Sequence, residues 1–336
     1  MFAKQKIIIS LLLILLLSSC QQKSRFHIAT FEHPVEVKIN RFDLDFIALD
    51  TTNMVDGLKS LALKYPVFYP IFVSDILMMH PIDTIANVHQ IKKFLKDTVF
   101  AKVHQEVIST FENTDAIEKE LSLAYSYLTH HLPDIQLPEI YFFVSGFNRQ
   151  FLQNKSLLGV GNDLYLGANY PIYKDLTHEY LIPNMRKEML VTDILSTILH
   201  NEFNIDSNTN LLNAMIYEGK MLFLLSVIMP NVSSDNIIGF SKEALIWCKK
   251  NEQSVWETMV ANKHLFSTDL LLINQYIHNA PFTSPISQTS PGRLGAWIGW
   301  QIVQSYMQNN KYVSLNDLMN TTSAQLILEQ SMYRPQ

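Results

Sequence analysis

A chain of 336 residues with 48% apolar and 17% charged residues can bury a substantial core, which excludes global disorder. Its formal net charge of −5, without a basic stripe, excludes a general nucleic-acid role. The length accommodates one large domain or two smaller ones.

The N-terminus, "MFAKQKIIISLLLILLLSSC", places Lys4 and Lys6 before an apolar stretch over 7–17, then small residues and Cys20. A basic flank, a short apolar core and small residues before a cut predict a secretory signal over 1–19. The apolar run is too short for an ordinary membrane span. The segment resembles the bacterial lipoprotein signal. That resemblance implies cleavage before Cys20 and acylation of that cysteine, palmitate among the acyl groups. Several acyl chains make a durable membrane anchor. Residues 20–34 then read as a lipidated tether and 35–336 as one domain. Cys248, in "EALIWCKK", has no second mature cysteine to pair with inside the domain and is predicted to be a buried, inert thiol on a helix.

"VEVKINRFDLDF" alternates Val35, Val37 and Ile39 with Glu36, Lys38 and Asn40, which predicts a half-buried strand. From residue 50 to about 131 apolar residues recur three and four apart, a helical pattern punctuated by Pro66, Pro70 and Pro81. Its last helix has Thr114 or Asp115 as N-cap and Pro133 beyond its end. "LPEIYFFVSGFN" and "LLGVGNDLYLGANYPIY" predict strands, with Gly159, Gly161 and Asn162 at turn positions. Gly159-x-Gly161 lacks the rest of a nucleotide fingerprint, and no cofactor is expected. Helices are predicted over 189–202, 209–228, 241–250, 253–262, 269–276, 292–307 and 315–330, with "NAPFTSPISQTSPG" as a self-packed surface loop. "AMIYEGKMLFLLSVIMP" carries Glu218 and Lys220 and reads as a core helix rather than a span. The fold class is α+β, mostly helical, with a small antiparallel sheet.

The stretch "STILHNEFNID" raises a metal question. Zinc peptidases carry H-E-x-x-H on one helix: two histidines a turn apart hold the ion and the glutamate deprotonates its water. A third ligand is often a glutamate on the next helix. Here His200 stands in the first ligand position, and Glu218, followed by Gly219, stands on the next predicted helix. Asn201 replaces the base and Asn204 the second histidine, and an amide neither abstracts a proton nor ligates zinc well. Glu202 is one residue along, turned by about 100°. "THEYLI" also begins H-E, but Ile182 and Pro183 end that reading. His200, Asn201, Asn204 and Glu218 thus form the remnant of a metal site in a degenerate zincin-like architecture, with ordinary structural roles as the plainer account. His80, His89, His104, His130, His131, His264 and His278 show no ligand spacing and are expected at the surface or at caps. A Gly-x-Ser-x-Gly elbow and a phosphate loop are both missing from the sequence. Arg293 opens a predicted helix, the end at which positive charge is unfavourable, so a carboxylate partner is expected and Glu218 is the candidate.

The pieces "YEGK", "IIGF…W", "NAPF" and "PGRLGAWIGWQIV", with "VEVKINRFDLDF" and "LKYPVFYPIF" nearer the start, resemble the GldB-like gliding-motility lipoproteins of the Bacteroidetes. The resemblance covers nearly all of the mature chain. It implies a non-catalytic lipoprotein facing the periplasm, partnered with the membrane through Cys20 and with envelope proteins of the motility or export machinery. It also implies a distant likeness to zinc-peptidase folds. Two other readings remain beside it: a zinc-dependent metallopeptidase with an unusual ligand set, and a periplasmic small-ligand binder.

Overall fold

A computed structural model describes residues 24–80, 84–204 and 210–335. The chain divides into two compact units, Met1–Phe31 and Glu32–Gln336. In the first, the His27 N–H donates to the Ser24 carbonyl at 2.8 Å. The predicted signal and Cys20 lie outside the described residues.

The second unit begins with β1 (Ile39–Asn40), then α1 (Phe42–Ile47), α2 (Met54–Lys64), α3 (Phe68–Asp75), α4 (Thr84–Lys96), α5 (Thr98–Thr110) and α6 (Asp115–His131). Three strands follow, β2 (Glu139–Phe143), β3 (Phe151–Gln153) and β4 (Leu157–Gly161). The remainder is helical: α7 (Tyr173–Leu176), α8 (Leu190–Glu202), α9 (Leu211–Ile228), α10 (Ser234–Ile238), α11 (Lys242–Ala261), α12 (Leu270–Ile277), α13 (Leu294–Asn309), α14 (Leu315–Asn320) and α15 (Ala324–Ser331). The α+β class with a helical majority is therefore as the sequence predicts.

The sheet is mixed rather than antiparallel, which corrects the sequence reading. Its order is β1-β2-β4-β3; β1 and β4 run parallel to β2, and β3 alone is antiparallel, to β4. The chain leaving β2 crosses to the outer edge, runs β3, and turns back through Asn154, whose side chain accepts from the Ser156 and Leu157 N–H groups at 2.8 and 3.0 Å. The returning β4 fills the gap beside β2. Gly159 and Gly161, expected at turn positions, instead lie within β4 opposite Tyr141 and Phe143, where a Cβ would meet Phe68 or the Arg149 carbonyl.

The alternation at Val35–Ile39 is also real but its partner is unexpected. Only Ile39 and Asn40 pair with a strand. The N–H groups of Val35, Val37 and Ile39 instead donate to Ser126, Ser122 and Glu118, at 2.8, 2.9 and 3.1 Å. Those acceptors lie four apart along one face of α6, so an extended segment is held by a helix instead of a sheet. Beyond it "FDLDFI" closes into α1, which inserts Phe42 and Phe46 among Phe68 and Phe72. Phe68 stacks on Tyr141 of β2 at 4.8 Å, joining this aromatic core to the sheet.

Two helical boundaries differ from expectation. The helices predicted over 241–250 and 253–262 are one, α11, because Asn251 folds its amide back onto the Trp247 carbonyl at 2.7 Å and leaves the ladder intact. The single helix predicted over 315–330 is two. Thr321 returns its hydroxyl to the Asp317 carbonyl at 2.7 Å, and Ser323 caps a new start at Leu326 N–H, 3.1 Å.

Helix α9 forms the centre of the C-terminal half. By length and composition it could cross a membrane, yet most of it is buried within the fold. Helix α13 crosses it where Gly219 faces Gly299. A Cβ on Gly299 would collide with the Met215 backbone, and one on Gly219 with the Gly299 backbone, so only glycine permits this approach. Trp297 and Trp300 of α13 are buried beside the contact.

Candidate functional site

A cleft of about 390 Å³ opens among α8, α9, residues 147–150, the turn region 176–185 and the start of α13. Each wall has a local reason. On α8, Asp193, Ser196 and His200 lie three and four residues apart, which places them on one face. On α9, Glu218 shares its face with Met221, Leu222 and Leu225. Arg293 is delivered by the loop 279–292, which packs on itself: Thr283 donates its N–H and its hydroxyl to the Pro291 carbonyl at 3.1 and 2.8 Å, and Ser290 and Thr283 are buried. The Thr283 hydroxyl also accepts from Leu294 N–H at 3.3 Å, providing the cap that Arg293 does not.

The centre of the cleft is a charged triad. His200 Nε2 lies 3.1 Å from Glu218 Oε1, and Arg293 Nη2 donates to Glu218 Oε2 at 3.2 Å. The three side chains are 33%, 12% and 22% exposed, so the carboxylate is the least hydrated member. His200 Nδ1 is 2.7 Å from the Ser196 carbonyl. The Ser196 hydroxyl also lies 3.3 Å from Nδ1, while the Ser196 carbonyl and the Glu218 carboxylate both favour a protonated ring. The pKa directions agree. Burial acts to lower that of His200, but the Glu218 hydrogen bond and charge and the Ser196 carbonyl outweigh it, and the pKa lies above its ordinary 6.5. Burial acts to raise that of Glu218, and His200 and Arg293 together hold it below its ordinary 4.5.

Arg293 is held at a cost. Its φ of 58° is in the left-handed region, which a non-glycine residue enters at roughly 1–3 kcal/mol. It also stands at the positive end of α13. The bonds to Glu218 and, at 3.2 Å, to the Ile238 carbonyl oppose both penalties.

The other remnant positions go elsewhere. Asn201 exchanges amide hydrogen bonds with Gln153 at the β3 edge. Asn204 lies beyond the end of α8 and, with Lys220, lines a separate hollow, where the Lys220 ammonium donates to the Thr321 carbonyl. Glu202 is exposed and does not line the cleft. "YEGK" thus serves four neighbours: Tyr217 donates to the Phe203 carbonyl at 2.6 Å, Glu218 enters the cleft, Gly219 meets α13 and Lys220 faces the other side. Among the remaining histidines, His104 departs from the expected surface position. It is buried against Phe94 and Phe100, and burial pushes its pKa down to about 4. Cys248 is buried, with its thiol pushed up to about 12 by burial and the charge of Glu252.

Sequence reasoning missed the second half of the cleft. Asp193 accepts through Oδ2 from the Tyr165 hydroxyl at 2.9 Å and the Gln150 amide at 3.3 Å, and Gln150 also donates to Tyr165 Oη at 2.8 Å. Burial pushes the Asp193 carboxyl up to about 6, against the Tyr165 bond and the charges of Arg293 and Arg186. The available signal was the Asp193–Ser196–His200 spacing, which puts three polar residues on one helix face.

A family model described as gliding motility protein GldB matches residues 23–335. The chain belongs to the GldB family. No curated protein and no solved structure matches it. Membership gives the protein a gliding-motility-associated role and makes it a lipoprotein of the cell envelope, as the C-terminal pieces led one to expect. The zincin-like architecture gains no such support: the likeness rests on the placing of His200 and Glu218 alone, and the structure engages both within the triad.

Proposed function

We propose that this GldB-family protein is a non-catalytic binding or assembly component, anchored through acyl chains on Cys20, facing the periplasm and working with the motility or export machinery. The observation that carries the reading is the saturation of the triad. Both nitrogens of His200 and both oxygens of Glu218 are engaged inside the protein. A protonated His200 has no lone pair for a metal, and its neighbours raise its pKa; Glu218 is already held by Arg293 and His200. Zinc hydrolysis needs three ligands and a base for the bound water. Among the described residues, no group of three or more His, Cys, Asp or Glu side chains could hold a metal ion. The zinc-peptidase alternative has in its favour the meeting of His200 and Glu218 in the cleft, but it lacks a third ligand among the described residues. The small-ligand alternative has the cleft itself in its favour, and a binding component can hold a small molecule.

The test is elemental analysis of the full-length lipoprotein in detergent, paired with cleavage assays on unstructured protein substrates. The expected outcome is neither stoichiometric zinc nor chelator-sensitive cleavage. Zinc lost in His200→Gln, with cleavage abolished by a chelator and restored by zinc, would overturn the proposal.

A further inference from the structure

The cleft holds more hydrogen-bonding capacity than the triad uses. Asp193 engages only Oδ2; among the described residues no donor meets Oδ1, and the residue is half-buried at the cleft wall. Thr192 also lines the cleft, and its buried hydroxyl has no hydrogen-bond partner. Arg149 stands exposed at the rim, and among the described residues its guanidinium has no hydrogen bond or ion pair. The cleft is also lined by the apolar side chains of Met185, Met189, Met221, Leu222 and Ile238. Methionine-rich walls adapt to apolar side chains of differing shape.

The charges limit what fits. Glu218 is held between Arg293 and His200, while Asp193 lies within the fields of Arg293 and Arg186 and keeps one oxygen open. The interior thus sets an open carboxylate oxygen beside a committed ion pair, and Arg149 adds a cation at the mouth. A purely anionic ligand meets the Asp193 carboxylate, and a purely cationic one meets Arg149. A molecule with both charges and an apolar side chain meets neither conflict. The volume of about 390 Å³ lies near the lower end of small-molecule sites, which limits that molecule to a few residues' size.

We propose that the cleft binds an α-amino acid or short peptide with free ends: its ammonium on Asp193 Oδ1, its carboxylate on Arg149, its apolar side chain against the methionine wall. The assignment rests on the reading of the cleft as a binding site rather than a catalytic one. Arg293, already committed to Glu218, orients the interior field without needing to release its partner. The raised Asp193 pKa adds a consequence: the ammonium loses its counter-charge as pH falls through about 6, so affinity declines on acidification.

The experiment is calorimetric titration of the full-length lipoprotein in detergent with leucine, Leu-Leu, N-acetyl-Leu-Leu and Leu-Leu amide. Saturable binding of Leu-Leu is expected, weakened about tenfold or more by acetylation and by amidation, the scale of one charged contact. Asp193→Asn, which keeps an acceptor for Tyr165 and Gln150, is expected to weaken Leu-Leu about as much as acetylation does. It should leave the acetylated peptide unaffected. Arg149→Gln is expected to mirror this for the amide. Equal binding of leucine selects the free amino acid; preference for Leu-Leu selects the peptide. Binding indifferent to acetylation and to Asp193→Asn, or no binding tighter than about 1 mM, would overturn the assignment and leave the non-catalytic reading standing. Cleavage of bound Leu-Leu would instead overturn the non-catalytic reading and leave the binding assignment standing.

Discussion

At the scale of single residues, the cleft turns on one carboxylate. Removing Glu218 leaves a guanidinium and an imidazolium facing each other, both poorly hydrated. Breaking a fully buried pair costs about 3–5 kcal/mol, and partial exposure reduces the figure here to about 2–3 kcal/mol for Glu218→Ala. Thermal unfolding should show this as a lower Tm, and an unchanged Tm would refute the pairing. The cost depends on pH with a definite sign. The depressed Glu218 pKa contributes stability that is present above its ordinary 4.5 and lost as pH falls through the lower folded value. The raised His200 pKa contributes stability that is present below its ordinary 6.5 and lost as pH rises through the higher folded value. The Tm gap between wild type and variant is therefore expected to be widest from about pH 4.5 to 6.5. Part of this site was legible in the chain. His200 stood out by motif position, and Arg293 by its misfit with the dipole of α13. Asp193 did not, because an aspartate one turn into a helix reads as a favourable charge near the N-terminus, and its partners Tyr165 and Gln150 come from a distant loop.

At the scale of elements, the decisive contact is the crossing of α9 and α13. Two effects compete when Gly299 becomes alanine. Helix propensity improves by about 1 kcal/mol. The new methyl group, however, meets the Met215 backbone, which cannot rotate away as a side chain could. Overpacking of about 1–3 kcal/mol or more then prevails. Gly57→Ala in α2 provides the contrast, since its methyl group would meet only the Leu49 side chain, at 2.9 Å. Gly299→Ala is expected to lower the denaturation midpoint clearly and Gly57→Ala to leave it close to wild type; equal effects would contradict the account. The close approach was readable from the glycine spacing in "GRLGAWIGWQIV". The strand directions were not, because Gly159 and Gly161 read as turn residues although they serve as small residues within β4, and nothing local states which strand lies beside it. The segment before α1 shows the same limit: its alternation announces an extended backbone, while the acceptors come from α6, over seventy residues away.

At the scale of the whole molecule, the proposed anchor makes a chemical claim independent of the fold. Metabolic labelling with an alkyne palmitate analogue should mark the wild-type protein and fail to mark Cys20→Ser. Equal labelling of both would remove the acyl anchor from the account. The burial of Cys248 makes the readout clean, since that thiol is neither exposed nor readily ionised. Helix α9 carries a further consequence for how such a chain can change over time. Glu218, Gly219 and Lys220 are consecutive, and each step around a helix turns by about 100°, so the three look in different directions. Inserting or deleting one residue earlier in α9 would swing all three at once, aiming an ammonium or a bare backbone where the carboxylate belongs. The geometry therefore tolerates exchange of side chains at fixed length in this stretch, and gain or loss of residues only in the connecting loops.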